Sequence, residues 1–171
     1  MKKLLNNTFK TVKSIVGSSN NEIMQFWNLT SGLPGGKRLF SYSIGKFAPY
    51  TGTISPFVKE LKPGYARVEI EDHKKIRNHL NSIHAIALAN LCELTGNLAL
   101  FSGMPPDGRF IVTGMEIDYE KKARGTITAS SEIPEIRTNE ESEYKITVEA
   151  IDDSGEVTAR ARIFSLVGPD E

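Results

Sequence analysis

RNHLNSIHAIALANLCELTGNLALF, residues 77–101, is the stretch on which the fold turns. From Ile83 to Phe101 it is almost wholly apolar, with Glu93 as its single mid-segment charge. Asn78, His79 and His84 crowd its front end. The run nears membrane-spanning length, yet Asn90, Glu93, Thr95 and Asn97 lie inside it and argue against a bilayer. A helix that is apolar on all sides must then be surrounded by protein.

The flanking sequence supplies the surroundings. Upstream, TISPFVKEL and YARVEIE alternate as strands do, and Lys62-Pro63-Gly64 is a turn between them. Downstream, after GMPPDG, strand patterns follow one another: RFIVTGMEIDYEKKA, ARGTITASSEI, YKITVEAID and EVTARARIFSLV. The last two are joined by Asp152-Asp153-Ser154-Gly155, a good hairpin turn. Two strands, one long helix and about four antiparallel strands predict an α+β domain in which a curved sheet wraps the helix, the order of the hotdog fold. That domain is expected over residues 50–171.

Residues 1–49 read as a helical extension. Leu5, Phe9, Val12 and Val16 fall at helical spacing and predict a short amphipathic helix docking on this protein or a partner subunit in preference to a membrane. Asn20 or Asn21 can cap a second helix running through Trp27, and residues 37–47 predict a third. Pro49 and Gly52 then break the pattern. LPGGK is not a phosphate loop, because Ser31 stands where the first glycine is needed and Arg38 where Ser or Thr is needed.

The 171 residues carry 21 basic and 21 acidic side chains, so net charge gives no general affinity for polyanions. The balance is uneven: Lys2, Lys3, Lys10, Lys13, Lys37, Arg38 and Lys46 face only Glu22 in the first fifty residues. No basic stripe with interleaved aromatics points to nucleic acid. The one cysteine, Cys92, excludes an internal disulfide and a cysteine-rich zinc site, and it reads as a packing residue. No metal ligand set is expected. The opening MKKLL is cut short as a leader by Asn6, Asn7 and Thr8, so a soluble cytoplasmic protein without an integral membrane segment is expected.

Spacing within the helix carries the functional reading. If the helix begins near Ser82 or Ile83, its first N–H groups, around His84 and Ala85, lack intrahelical acceptors and favour negative charge. An oxyanion formed from a thioester carbonyl is such a charge. Glu93 lies nine positions after His84, which is half a turn out of phase and roughly 13.5 Å along the axis. The two cannot meet over one substrate within a chain. Antiparallel packing of two such helices would bring Glu93 of one to the start of the other, so a site using both is shared between subunits.

The segment resembles the hotdog acyl-CoA thioesterase superfamily, especially its phenylacetyl-CoA thioesterase-like branch. That branch has an asparagine, six residues later a His-Gly-Gly opening the central helix, and an acid nine residues past the histidine. Asn78, His84 and Glu93 keep those intervals, while His-Gly-Gly reads His84-Ala85-Ile86 and the usual aspartate is Glu93. RNHLNSIHAIALANL is also similar to a thioesterase-like subgroup of this fold that lacks a demonstrated activity. The resemblance covers about residues 50–167. It implies that Glu93 is general base or nucleophile, that the Ala85 N–H polarises the carbonyl, and that Asn78 orients water or substrate. It implies no cofactor, since the CoA thioester is the substrate, and a homodimer or a pair of dimers.

Thr113, on the strand after the helix, lies near the position of a water-positioning hydroxyl in the family, although the aligned residue is Val112. Lys121, Lys122 and Arg124, or Lys74, Lys75 and Arg77, are candidates for the CoA phosphates. Plainer readings stand beside these. They make Glu93 an interface ion pair or a solvent-reaching acid at a curved edge, His84 a structural residue at the helix start, His79 a loop cap, Asn78 a satisfier of loop backbone, His73 a surface residue, and the cation clusters solvated loops. Two other functions share the fold: a non-catalytic acyl-CoA or lipid-binding module, and a hydroxyacyl-thioester dehydratase. For the latter, His79 and Glu93 have the fourteen-residue spacing, but HLNSIHA lacks the proline-rich run.

Overall fold

The computed structural model describes residues 20–105, 107–134, 136 and 140–169. The helix expected through Leu5, Phe9, Val12 and Val16 and the capping side chains of Asn20 and Asn21 lie outside that description. Three helices come first: α1 (Asn20–Thr30), α2 (Gly36–Phe47) and the single turn α3 (Pro49–Gly52). Strands β1 (Phe57–Lys62) and β2 (Tyr65–Glu71), a 3-10 turn (Lys74–Ile76) and the long helix α4 (Ala85–Gly103) follow. β3 (Gly108–Tyr119), β4 (Thr126–Glu132), β5 (Ser142–Ile151) and β6 (Val157–Pro169) complete the chain.

The six strands form one antiparallel sheet in the order β1-β2-β4-β5-β6-β3. This is the expected hotdog architecture, with α4 in the hollow of a curved sheet. Irregular register between Val58 and Glu60, Val112 and Gly114, and Ala150 and Ile151 marks the bends, because a bulge adds local twist and curvature. The β1–β2 turn needs Gly64, whose φ of 75° lies in the left-handed region and whose missing Cβ would stand 2.7 Å from the Ile133 carbonyl oxygen.

The concave face is built of alternate residues: Ala66, Val68 and Ile70 on β2, Ile127 and Ala129 on β4, Ile146, Val148 and Ala150 on β5, and Ala159, Ala161 and Ile163 on β6, all buried. Small residues recur where the helix comes close. At Gly96 a Cβ would lie 2.6 Å from Ile163 Cδ1 and 3.1 Å from Val148 Cγ2. Leu91, Cys92, Thr95, Ala99 and Leu100 are fully enclosed, and burial pushes the Cys92 thiol up to about 12. α4 is long and apolar enough to cross a membrane, but 72% of its most apolar 18-residue stretch is buried inside this fold.

The helices before residue 49 share the core with the strands after it. Trp27 meets Phe40 edge-on at 5.0 Å, and Phe26 lies 5.4 Å from the same ring. α2 also covers the outer edge of β1: Lys37 Nζ donates to the Lys59 carbonyl at 2.7 Å, and the Val58 N–H donates to Ser41 Oγ at 2.8 Å. One sheet edge is thus protected from pairing. The other, β3, has no neighbour on its outer side among the described residues.

Element limits shift by a few residues for local reasons. α1 runs past Trp27 to Thr30, whose hydroxyl donates back to the Phe26 carbonyl at 2.7 Å. α4 starts at Ala85, not Ser82 or Ile83, because the loop up to Ile83 is held in other bonds: Ile83 N–H donates to the Ala123 carbonyl, and Arg77 bridges Ile83. β3 stops at Tyr119, as Glu120 and Lys121 N–H groups turn to the Thr158 carbonyl. The close fit at Gly96 makes a direct test: Gly96→Val should lower unfolding stability by about 2 kcal/mol in urea titration, an overpacking cost.

Candidate functional site

The start of α4 is shaped by a loop folded on itself. Asn78 Oδ1 accepts from the Leu80 N–H at 2.9 Å, the Ser82 hydroxyl at 3.1 Å and the Ser82 N–H at 3.3 Å. The Asn78 N–H donates to the Ser82 carbonyl at 2.9 Å. Asn81 takes a left-handed φ of 54° at the tip, and Arg77 Nε closes the base on Asp72 at 2.7 Å. The Asn78 side-chain oxygen therefore satisfies loop backbone, and its amide nitrogen has no hydrogen-bond partner among the described residues.

His84 is the N-cap of α4. Its backbone is extended (φ −65°, ψ 141°), and its ring Nδ1 accepts from the Ile86 N–H at 3.1 Å. The His84 carbonyl receives the Ala87 and Leu88 N–H groups, and its own N–H donates to the Ile76 carbonyl at 2.7 Å. Between these bonded neighbours, the Ala85 N–H has no acceptor among the described residues. It is the first residue of the helix, so the helix dipole adds to its pull on negative charge. The sequence does not foretell one further tie: the Tyr119 hydroxyl donates to the Ala85 carbonyl at 3.0 Å, pinning the helix start to β3. Burial pushes the Tyr119 phenol up from its ordinary value.

Glu93 lies midway along α4 on the one stripe that the sheet does not cover. Ile86, Glu93 and Asn97 share this stripe, Ile86 being 52% exposed, while Phe101 at its far end meets Phe110 of β3 edge-on at 6.1 Å. Among the described residues Glu93 has no hydrogen bond or ion pair. It is eight residues from Ala85 on one uninterrupted helix, a rise of about 12 Å. The Ala85 N–H and the Glu93 carboxylate of one chain are therefore not brought together. Asn78, His84 and Ala85 gather at the helix start, while Glu93 stands apart from them.

The remaining candidates are placed as follows. Thr113 sits at the bulge of β3 and donates to the Phe164 carbonyl at 3.2 Å. Lys121 is held by Asp152 at 2.8 Å and by Glu156. Its hydrogen bond keeps the Asp152 carboxyl well below the usual carboxylate range. Arg124 Nε donates to the Asn81 carbonyl at 3.2 Å, bracing the Asn78 loop. Lys122 is exposed and has no partner among the described residues. His73 is half-buried rather than a surface residue, and its Nε2 has no hydrogen-bond partner among the described residues. It borders a cleft of about 930 Å³ between α2, α3, β1 and β2, which also includes Arg38, Tyr42, Lys46 and Lys59 and none of the expected catalytic residues.

Comparison with known proteins places this architecture. The model of a family described as a domain of unknown function, DUF4442, matches residues 36–167. A structural-genomics target, APC5556, is 31% identical over 86% of this chain and 98% of its own, with a TM-score of 0.75. PA5026 from Pseudomonas aeruginosa, described as a probable thioesterase, is 24% identical over 80% of this chain and 97% of its own, with a TM-score of 0.68. The thioesterase SAV0944 from Staphylococcus aureus is 16% identical over 71% of this chain and 99% of its own, at 0.62. The last two share the fold at identities too low to carry an activity across. No curated protein matches the sequence.

The cap at His84 has a measurable consequence. His84→Ala should cost about 1 kcal/mol of stability, whereas His84→Asp, whose carboxylate caps equally well, should hold the wild-type melting temperature.

Proposed function

The chain belongs to the DUF4442 family and has the hotdog thioesterase-like fold, and from that premise we propose that it is an acyl-CoA thioesterase whose site is completed by two subunits. One observation carries this reading. A carboxylate and a helix-start N–H, each without a hydrogen-bond partner among the described residues, lie on the same rigid helix, about 12 Å apart. Each is half of what thioester hydrolysis requires, and a second copy with its α4 antiparallel supplies the missing half. The open edge of β3 supports the pairing, since Ile111, Met115 and Tyr119 lie exposed along it while the β1 edge is already covered.

In this mechanism the thioester carbonyl oxygen rests on the Ala85 N–H of the partner subunit. Water attacks the carbonyl carbon, and Glu93 takes the proton it loses. The oxyanion is stabilised by the N–H and the helix dipole, without reorganisation of solvent. Collapse breaks the C–S bond, and the proton returns from Glu93 to the departing CoA thiolate. The Asn78 amide nitrogen, at the same end of the helix as Ala85, orients the substrate. Lys122 is the cation best placed to meet CoA phosphate, as Lys121 and Arg124 are engaged elsewhere. The enzyme is a cytoplasmic homodimer in this account.

Two substitutions test the two halves separately. Glu93→Gln should lower kcat on acyl-CoA esters about 100-fold or more. Ala85→Pro removes only the N–H. Proline is favoured at the first position of a helix, and the extended His84 backbone (φ −65°, ψ 141°) tolerates a following proline. The variant should stay folded and lose about 100- to 1,000-fold in kcat. Wild-type protein that binds CoA esters and cleaves none would instead identify a non-catalytic acyl-CoA-binding module.

A further inference from the structure

The N-terminal helices turn much of their apolar surface outward. Among the described residues, six of the eleven exposed large apolar side chains fall between residues 29 and 50: Leu29, Leu33, Leu39, Tyr42, Phe47 and Tyr50. One exposed apolar residue needs no explanation, but these are gathered on one short helix and its two ends. In α2, Arg38, Leu39, Tyr42 and Lys46 are exposed while Phe40, Ser41 and Ile44 are buried, so the first four make its outward face. Leu29, 72% exposed, and Leu33 precede that face, and Phe47 and Tyr50, 57% and 66% exposed, follow it. The corner after α2 is fixed in place. A Cβ on Gly52 would stand 2.4 Å from the Gly45 carbonyl oxygen, so α3 lies directly on α2. The Tyr50 carbonyl accepts from Asn90 Nδ2 at 3.2 Å, which ties the same turn to α4.

The same face is positive. Lys37 is turned to the Lys59 carbonyl, which leaves Arg38 and Lys46 pointing outward. Lys46 Nζ lies over the Tyr42 ring at 5.3 Å, and Arg38 has no hydrogen bond or ion pair among the described residues. Arg38, Tyr42 and Lys46 also border the large cleft, where Lys59 is paired with Glu69 at 3.1 Å and Glu71 adds one acid. Glu22, the one acid in the first fifty residues, has its Oε2 buried. The first nineteen residues add Lys2, Lys3, Lys10 and Lys13 and no acid. Covering this face with that segment, or with the same face of a second copy, would set cation against cation. Leucine side chains belong among acyl chains and give nucleic-acid bases nothing to stack on. We infer that the helical extension docks the protein on an anionic lipid surface. Phe47, Tyr50 and the leucines enter the boundary between headgroups and acyl chains, and Arg38 and Lys46 meet the lipid anions. Sequence alone favours protein as the partner of Leu5, Phe9, Val12 and Val16, and the charge of the folded face shifts that preference to lipid. The inference is independent of the thioesterase reading.

Sedimentation of the full chain with vesicles tests this. The protein should pellet with vesicles of phosphatidylcholine and phosphatidylserine and stay in solution with phosphatidylcholine alone. Added salt should release it, because the attraction is screened. Arg38→Glu together with Lys46→Glu should weaken binding about tenfold or more. Phe47→Ser together with Tyr50→Ser should weaken it about tenfold and leave the melting temperature unchanged, since both side chains are exposed. Equal binding to the two kinds of vesicle, or wild-type binding by the charge-reversed variant, would overturn the inference. Absence from both pellets would overturn it as well. A melting temperature lowered by the Phe47 and Tyr50 substitutions would then assign the face to residues 1–19 of the same chain, and a smaller particle in sedimentation velocity would assign it to a second copy.

Discussion

An apolar helix in water has to be covered, and the covering of α4 is the constraint from which the remaining structure follows. The sheet bends at three irregular registers to reach around it. Its inner face carries alanine at Ala129, Ala150, Ala159 and Ala161, and the helix has glycine at Gly96, where Ile163, Val148 and Ile146 of the sheet leave no room for a Cβ. Six strands in one layer cannot enclose a cylinder completely. A stripe is left, and it holds Glu93 and Asn97, polar side chains with no hydrogen bond or ion pair among the described residues.

The same rigidity separates the chemistry. A straight helix fixes the Ala85 N–H and the Glu93 carboxylate at opposite ends of about two turns, and no side-chain rotation closes that gap. The loop before the helix is equally committed: Asn78, Ser82, Asn81 and Arg124 bond one another, and Tyr119 ties the first turn to β3. These bonds make the helix start a preorganised donor site rather than a mobile end. Preorganisation is what electrostatic stabilisation of an oxyanion needs, and a second subunit can meet such a site without inducing it.

Much of the fold was legible from residues 50–167 because each element there has a strong local signal. The strand runs alternate, the turns at Lys62-Pro63-Gly64 and Asp152–Gly155 have their characteristic residues, and the Ile83–Phe101 run has one reading once a bilayer is excluded. What local signals cannot carry is partnership across the chain. That β3 lies beside β6, that Lys121 is drawn to Asp152 and Glu156, and that the Asn78 oxygen is consumed by Leu80 and Ser82 all depend on tertiary proximity. His84 illustrates the division. Its position at the helix start follows from spacing, but its work there, capping through Nδ1, is visible only when Ile86 is folded above it.

The central claim is that the two halves of the site come from different chains, and mixed dimers test it most directly. Ala85→Pro and Glu93→Gln subunits, differently tagged, can be co-expressed and the heterodimer purified. One of its two sites then pairs an intact Glu93 with an intact Ala85 N–H, and the other has neither. A shared site predicts recovery of about half the wild-type turnover per dimer, from two parents that are each nearly inactive. A heterodimer no more active than its parents would place Ala85 and Glu93 in the same site of one chain, or outside the site, and contradict the account.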